Sequence, residues 1–444
     1  MKNVILYGAG HNMRFALNYL ASVDIIPVCI CDGCQDKWHS TVTYKNNYRG
    51  EPIELKILPF SEAIALYPDY SLYISTSFSL KCQIIEELIE YRLLDDTSRI
   101  INYEEYQKGC HWLSWLDIVL SSTTPDIKSR VCCVIDYDLL QLASNDEEVT
   151  DDRVKDSIKT YYERRSKFAK LIANGELKEC KHCGNFGFMR KSNLIEKIHF
   201  AGFGVCQLKC TYCCNELFKQ TEISNTIKAL VKYYNELKAQ DLLVPDFAFI
   251  ISFGEMTINP HGNEVLDFVI ENTKNAPNAS MIFSNCVVYS EKIALILRNG
   301  GSLVTSIDSG TNETFKQIKG FDLFEKTLSN VKKYVADGIV WVKYIFTIDG
   351  SNANEKDIDG FIKFIAECRP ALAVISYEYN MRHREVESRD VISQHILNNM
   401  GELVRKLKKI KQPYAYYGDY LSSWVKGKIE EIASNCCEES HATI

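Results

Sequence analysis

Apolar residues recur along the chain in short runs, separated by stretches with helical spacing. VILYG (4–8) leads to the glycines Gly8 and Gly10, and Met13 to Leu20 then follow a helical pattern. IIPVCICDG is a second run, with a strand ending at Asp32. SLYISTS and RIINY are later runs, with the helical QIIEELIEYRLL between them. Strands alternating with helices predict a parallel sheet covered on both faces. The pattern weakens after residue 108, and residues 109–190 read as a helical connector. HWLSWLDIVL, with Trp112 and Trp115, is expected to be a helix packing between domains. DDRVKDSIKTYYERRSKFAKLI gathers Val154, Ile158, Tyr161 and Tyr162 near one helix face.

Regular alternation resumes at Ile195. IEKIHFAG, FAFIIS, SMIFS, SLVTSID, VKYIFTI and ALAVISY are six strand candidates with helical stretches between them. Six parallel units predict a partial (β/α)6 barrel over 191–420 instead of the closed eightfold one. Residues 421–444 end in polar sequence and are expected to form a frayed tail. The fold predicted is α/β: the partial barrel, preceded over 1–108 by a small parallel α/β domain. In that domain Gly8-Ala9-Gly10 follows the first strand, and Asp32 lies at the end of the second. This is the layout of a Rossmann-like mononucleotide half, although Met13 stands where the third glycine of GxGxxG belongs.

Charge and hydropathy exclude some functions. Lys and Arg number 51 against 58 Asp and Glu, a net charge of -7, which argues against a broad nucleic-acid surface. No stretch approaches the roughly 18 apolar residues of a membrane span. The opening MKNVILYGAG has no long apolar leader segment, so a cytoplasmic location is expected, with no membrane or nucleic-acid partner.

Seventeen cysteines point to metal chemistry in a reducing compartment. Cys29, Cys31, Cys82, Cys132 and Cys133 lie in or beside apolar runs and read as small hydrophobes. GFGVCQLKCTYCC is different, because it spaces Cys206, Cys210 and Cys213 as Cx3Cx2C. Three thiolates this close suit three irons of a [4Fe–4S] cluster and leave the fourth iron open. Zinc is the alternative for the spacing alone, although zinc sites usually show two separated CxxC pairs. Cys214 reads as a bystander. Cys180 and Cys183 form a second pair, CKHC. It suits an auxiliary metal site if His182, Cys286, Cys368, Cys436 or Cys437 completes it, and otherwise a reduced pair in a connector.

With Tyr212 just before its last cysteine, the segment resembles the radical S-adenosylmethionine (SAM) superfamily signature. Further matches follow in order over roughly residues 195–380. Gly254-Glu255-Met256-Thr257, preceded by Phe253, resembles the family's GGEPT motif, with Phe253 and Met256 replacing glycine and proline. Ser284-Asn285 stand where the family often has Thr-Asn, and SLVTSIDSGTNETFKQIKG resembles its fifth-strand segment. The resemblance implies an enzyme with an oxygen-sensitive [4Fe–4S] cluster on Cys206, Cys210 and Cys213. That cluster cleaves SAM reductively so that a substrate hydrogen can be abstracted. It also implies SAM contacts from Tyr212, Gly254, Glu255, Ser284, Asn285, Ser306 and Asp308, and an electron donor such as flavodoxin or ferredoxin. Lys343 sits on the next strand, where polar residues commonly approach SAM in the family.

The first domain resembles the small nucleotide-binding domains of sugar-modifying enzymes. The expected substrate is therefore a carbohydrate or nucleotide-linked small molecule, with Gly8, Gly10 and Asp32 as candidate nucleotide contacts. A ribosomally made peptide is the alternative substrate. A non-catalytic iron–sulfur sensor or scaffold is the alternative class.

Overall fold

The structure is a computed structural model. It describes residues 3–9, 25–45, 52–74, 106–110, 115–120, 126–130, 140–144, 150–174, 186–190, 194–201, 205–213, 223–252, 254–273, 280–378, 392–417 and 423–435, with single positions at 13, 17, 20, 84, 88, 99, 176 and 421. Gly10, Phe253, Cys180, Cys183, His182, Cys436 and Cys437 lie outside the described residues. The chain divides into two compact units, residues 1–114 with 168–193 and residues 115–167 with 194–444.

In the first unit β1 (Asn3–Tyr7), β2 (Cys29–Cys31), β3 (Thr41–Lys45), β4 (Pro52–Leu58) and β5 (Tyr70–Ile74) form one sheet in the order β3-β4-β2-β1-β5. β3 alone is antiparallel. The parallel strands therefore run third-second-first-fourth, the order of half a doubly wound sheet. Alternate strand residues feed two cores. Val4, Leu6 and Ile30 pack with Met13, Leu17 and Leu20, while Ile5, Cys29, Cys31 and Leu72 pack with Phe60 and Ala63 of α1 (Phe60–Leu66). Burial on both faces explains why these strands read as continuous apolar runs. Met13 is a core residue in the structure, which accounts for the missing third glycine.

Among the described residues the expected helical connector holds strands as well as one long helix. β6 (Tyr106–Cys110) pairs antiparallel with β10 (Phe186–Arg190) in the first unit. Trp115–Leu120, expected to be a helix, is strand β7 of the second unit, followed by β8 (Asp126–Arg130) and β9 (Leu140–Ser144). A run of six residues is too short for apolar content to separate strand from helix. The charged stretch after it does form a helix, α2 (Asp151–Ala173), with Val154, Ile158 and Tyr161 buried.

The second unit is built on a ten-stranded sheet. Its six central strands are β11 (Ile195–Ala201), β12 (Leu243–Ser252), β13 (Ser280–Phe283), β14 (Ser302–Ser306), β15 (Ile339–Phe346) and β16 (Leu372–Tyr377). All six are parallel and neighbour one another in chain order, as a partial barrel requires. The sheet continues past both ends of this set. β17 (Tyr414–Tyr416) adds parallel to β16, and β7 adds parallel to β11 with β8 and β9 antiparallel beyond it. The connecting helices are α3 (Ile223–Ala239), α4 (Gly262–Thr273), α5 (Glu291–Arg298), α6 (Asn312–Lys319), α7 (Phe324–Asp337), α8 (Glu355–Cys368) and α9 (Gln394–Lys409).

Residues of these strands point alternately to two faces. One face, with Phe249, Ile251, Ile282, Leu303, Val342, Tyr344 and Ile375, joins Leu230, Val265, Ile293 and Phe361 of the helices in the main core. The other face carries His199, Ile250, Ser252, Val304, Lys343, Ile345 and Val374, which are buried but stand outside that core. We call it the concave face, as it is turned away from the helices.

The expected tail is partly helix. α10 (Ser423–Asn435) buries Val425, Ile429 and Ala433 and packs on α9. Their four-residue spacing is the helical signal that the polar composition hid. No helix among the described residues is long and apolar enough to cross a membrane.

Candidate active site

The cysteine loop follows β11, and the loops after β12, β13 and β14 supply its supports. Strand C-terminal ends are where α/β folds build their sites. Cys206, Cys210 and Cys213 all carry thiols outside any disulfide, with Cys206 and Cys210 partly buried and Cys213 exposed. The loop is fastened at both ends. The Glu255 N–H donates to the Val205 carbonyl at 2.7 Å. The Lys209 and Thr211 N–H groups donate to the carbonyls of Lys319 and Ile318 at 3.0 and 2.9 Å, closing the loop onto the end of α6. The Cys213 N–H donates to the Cys210 carbonyl at 3.0 Å.

Two donors reach the Cys206 sulfur, the Leu208 N–H and the Asn285 side-chain amide, each at 3.4 Å. Asn285 also exchanges hydrogen bonds with Gln207, at 3.1 and 3.3 Å. Burial pushes the Cys206 and Cys210 thiols above their ordinary pKa, and at Cys210 the Lys319 ammonium opposes the rise.

Glu255 is the first brace. Its carboxylate is fully buried and accepts from the Thr257 N–H (3.1 Å) and hydroxyl (2.7 Å), the Ser284 hydroxyl (2.9 Å) and the Asn285 N–H (2.7 Å). Burial pushes its carboxyl up, and these donors work against that rise. Gly254 precedes it at a φ of 77°, a left-handed conformation that favours glycine. The side chain ties the loop after β12 to the loop after β13, at the position where the family motif implies a SAM contact.

Asp308 is the second brace, also fully buried and also expected to face SAM. One oxygen accepts from the Ile345 N–H at 2.8 Å, and the other takes the Tyr212 hydroxyl and the Lys319 ammonium. Lys319 also donates to the Tyr212 hydroxyl at 2.6 Å and lies 5.1 Å from its ring centre. Burial pulls the Lys319 ammonium down, but Asp308 and the cysteine sulfurs pull harder, and it ends above its ordinary value. Burial and the Asp308 charge together push the Tyr212 phenol well up. Tyr212 is thus aimed into the protein by an ion pair beneath the loop.

The turn after Asp308 is held as firmly. Asn352 donates to the carbonyls of Asp308 (2.9 Å) and Ile345 (2.8 Å). Asp357 accepts from the N–H groups of Gly310 and Thr311 at 3.0 and 3.1 Å. A Cβ on Gly310 would lie 1.9 Å from the Asp357 carbonyl oxygen, so only glycine admits α8 this close.

Of the expected site residues, the structure therefore gathers Cys206, Tyr212, Glu255, Ser284, Asn285 and Asp308 into one connected network on the cysteine loop. Ser306 ends β14, partly exposed, beside Lys343 of β15 in the sheet register. Sequence reasoning missed Lys319, Asn352 and Asp357. Lys319 lies inside the matched segment, but a lysine at a helix end reads as solvated.

The N-terminal candidates belong to the other unit. Gly8 follows β1 at a φ of 110° and donates to the Cys31 carbonyl at 2.6 Å. Asp32, expected to meet a ribose, accepts from the Ala9 N–H (2.7 Å), the Cys34 N–H (2.9 Å) and Lys37 (3.2 Å). Of the residues offered to complete an auxiliary site, Cys286 is fully buried in the main core and Cys368 is half-buried on α8.

No family profile and no curated protein match the chain. Solved structures do. Streptococcus suis SuiB bound to precursor peptide SuiA is 14% identical over 58% of this chain and 54% of its own, with a TM-score of 0.38. A radical SAM methyltransferase from Sphaerobacter thermophilus is 11% identical over 50% and 65%, at 0.35. Methylornithine synthase (PylB) is 12% identical over 64% and 81%, at 0.35. The chain spans only a little over half of the SuiB length it is matched to.

Among the described residues no three His, Cys, Asp or Glu side chains converge as a metal cage. The donor set still suits an iron–sulfur cluster. It offers three soft thiols on one short loop, N–H donors at the Cys206 sulfur and a buried cation beneath.

Proposed function

We propose that this chain is a radical SAM enzyme whose cluster is held by Cys206, Cys210 and Cys213. The observation that carries the reading is the Cx3Cx2C loop braced by Asn285, Glu255 and the Tyr212–Asp308–Lys319 network at the ends of four consecutive parallel strands. Bound there, a [4Fe–4S] cluster supplies one electron for the reductive cleavage of SAM, which makes a substrate C–H bond breakable. The protein's part is to fix the loop, to donate hydrogen bonds to its sulfur, and to set the bound molecules against the concave face. The backbone around Gly254 would meet SAM, and the Glu255 and Asp308 carboxylates, hydrogen-bonded to neighbouring loops, would position that pocket. An electron donor such as flavodoxin or ferredoxin would serve as reductant.

For the substrate we favour a carbohydrate or nucleotide-linked small molecule. The support is the first unit's strand order and its glycine turn at the end of β1. ADP and UDP are the probes. A melting temperature unmoved by either would remove this preference and leave a peptide as the better candidate.

The central test is anaerobic reconstitution with iron and sulfide, followed by dithionite and SAM. The expected results are about four irons bound by the triad and release of 5′-deoxyadenosine. Cys206→Ala, Cys210→Ala and Cys213→Ala should each lose that iron and that product. A full iron load in any of the three would sink the assignment. Iron without SAM cleavage would point to a non-catalytic sensor.

A further inference from the structure

Lys343 lies in the middle of β15, on the concave face, and is only 8% exposed. Its ammonium sits 3.8 Å from the centre of the Tyr417 ring. A ring face attracts a cation but accepts none of its three N–H bonds as a carbonyl or carboxylate would. Among the described residues no oxygen accepts from Lys343. The acidic charge that acts on it, Asp308, already serves Lys319, Tyr212 and the Ile345 N–H. Asp308 and Lys319 cancel, so Lys343 is left as a net positive charge in a buried setting.

Its neighbours in the sheet give it no counterion. Ser306 stands beside it on β14 and Val374 on β16. Ile345, on the same face and strand, is apolar, as is Val304 on β14. Burying a cation without acceptors is costly. A methionine of similar length would pack there without that cost. An arrangement of this kind fits a site whose missing partner arrives with a ligand.

We propose that Lys343 anchors an anionic group, a carboxylate or a phosphate, of the substrate on the concave face, with the Ser306 hydroxyl beside it. The assignment to substrate rests on the radical SAM reading of the sheet. The anion site itself does not. Burial lowers the Lys343 ammonium to about 8, with Asp308 acting weakly against the shift, and a bound anion would raise it again.

The test is reductive methylation of the full chain with formaldehyde and dimethylamine–borane, read on the Lys343 peptide by mass spectrometry. Inorganic phosphate and succinate are the probes. Each should slow methylation of Lys343 about tenfold when present at roughly ten times its Kd, and leave exposed lysines such as Lys326 unchanged. Rates unmoved by both anions would overturn the anion site. Equilibrium dialysis of SAM on reconstituted Lys343→Met separates the two sources of anion. An unchanged SAM affinity supports the substrate. A loss of about tenfold or more would hand the contact to the SAM carboxylate and overturn the substrate assignment. If the wild-type chain takes up no iron, the radical SAM reading fails, while methylation still decides the anion site. If Lys343→Met does not fold, the wild-type footprint still does so.

Discussion

At the ends of β12 and β14 both carboxylates are fully served. Glu255 takes four hydrogen bonds from three neighbouring residues, and Asp308 takes an ammonium, a phenol and a backbone N–H. On the concave face of β15, by contrast, Lys343 has an aromatic ring and, among the described residues, no acceptor. Both regions are buried and polar, but only the first is complete. A satisfied buried charge is architecture, holding loops in place at a desolvation cost already met. An unsatisfied one implies a partner yet to arrive. The difference gives Glu255 and Asp308 a bracing role beside the SAM contact that the family resemblance implies for them.

Breaking the complete region should have the largest effect. Lys319→Met leaves the Asp308 carboxylate buried and unpaired, and should cost about 3–5 kcal/mol in urea unfolding. Adding Asp308→Asn should recover much of that loss. A single variant as stable as wild type would show that the ion pair does not hold the loop. Glu255→Gln comes next, because one acceptor becomes a donor facing other donors. A loss of about 1–3 kcal/mol is expected. SAM affinity per folded molecule should change little, and a large drop would return Glu255 to its expected place against the ligand.

The smallest effect sharpens the other side. The Lys343 ammonium is lowered from 10.5 to about 8 by burial. Between these values the unfolded chain binds more protons than the folded one at this position, so stability rises with pH. Below about 8 the cost is fully present and flat. Comparing wild type with Lys343→Met from pH 7 to 10.5, the wild type should start less stable and close the gap as pH rises. A gap constant across that range would mean the ammonium is compensated after all.

The sequence made the cysteine loop and the six central strands readable, because ligand spacing and repeated apolar runs are local signals. The supports were harder to see. Tyr212 is 96 residues from Asp308 in sequence and meets Asp308 and Lys319 only when α6 folds back under the loop. The family resemblance marks Asp308 as a SAM contact, and nothing local announces its buried lysine partner. Strand β7 failed for another reason, since Trp115–Leu120 is too short to show a period. α10 was missed because its three buried residues are spread through polar sequence.

The extra strands at the ends of the large sheet also bear on where the second unit begins. A six-stranded open barrel would leave β11 and β16 with unpaired backbone edges, ready to recruit another chain. Here β7 lies along β11 and β17 along β16, so neither edge is bare. The boundary suggested by the cysteine motif, near residue 191, would cut away β7 and its two neighbours. A fragment starting there keeps every residue of the proposed chemistry yet turns an interior strand into a sticky rim. The functional module is therefore larger than its motifs. It begins before the first cysteine ligand by about ninety residues, counting from Trp115 to Cys206.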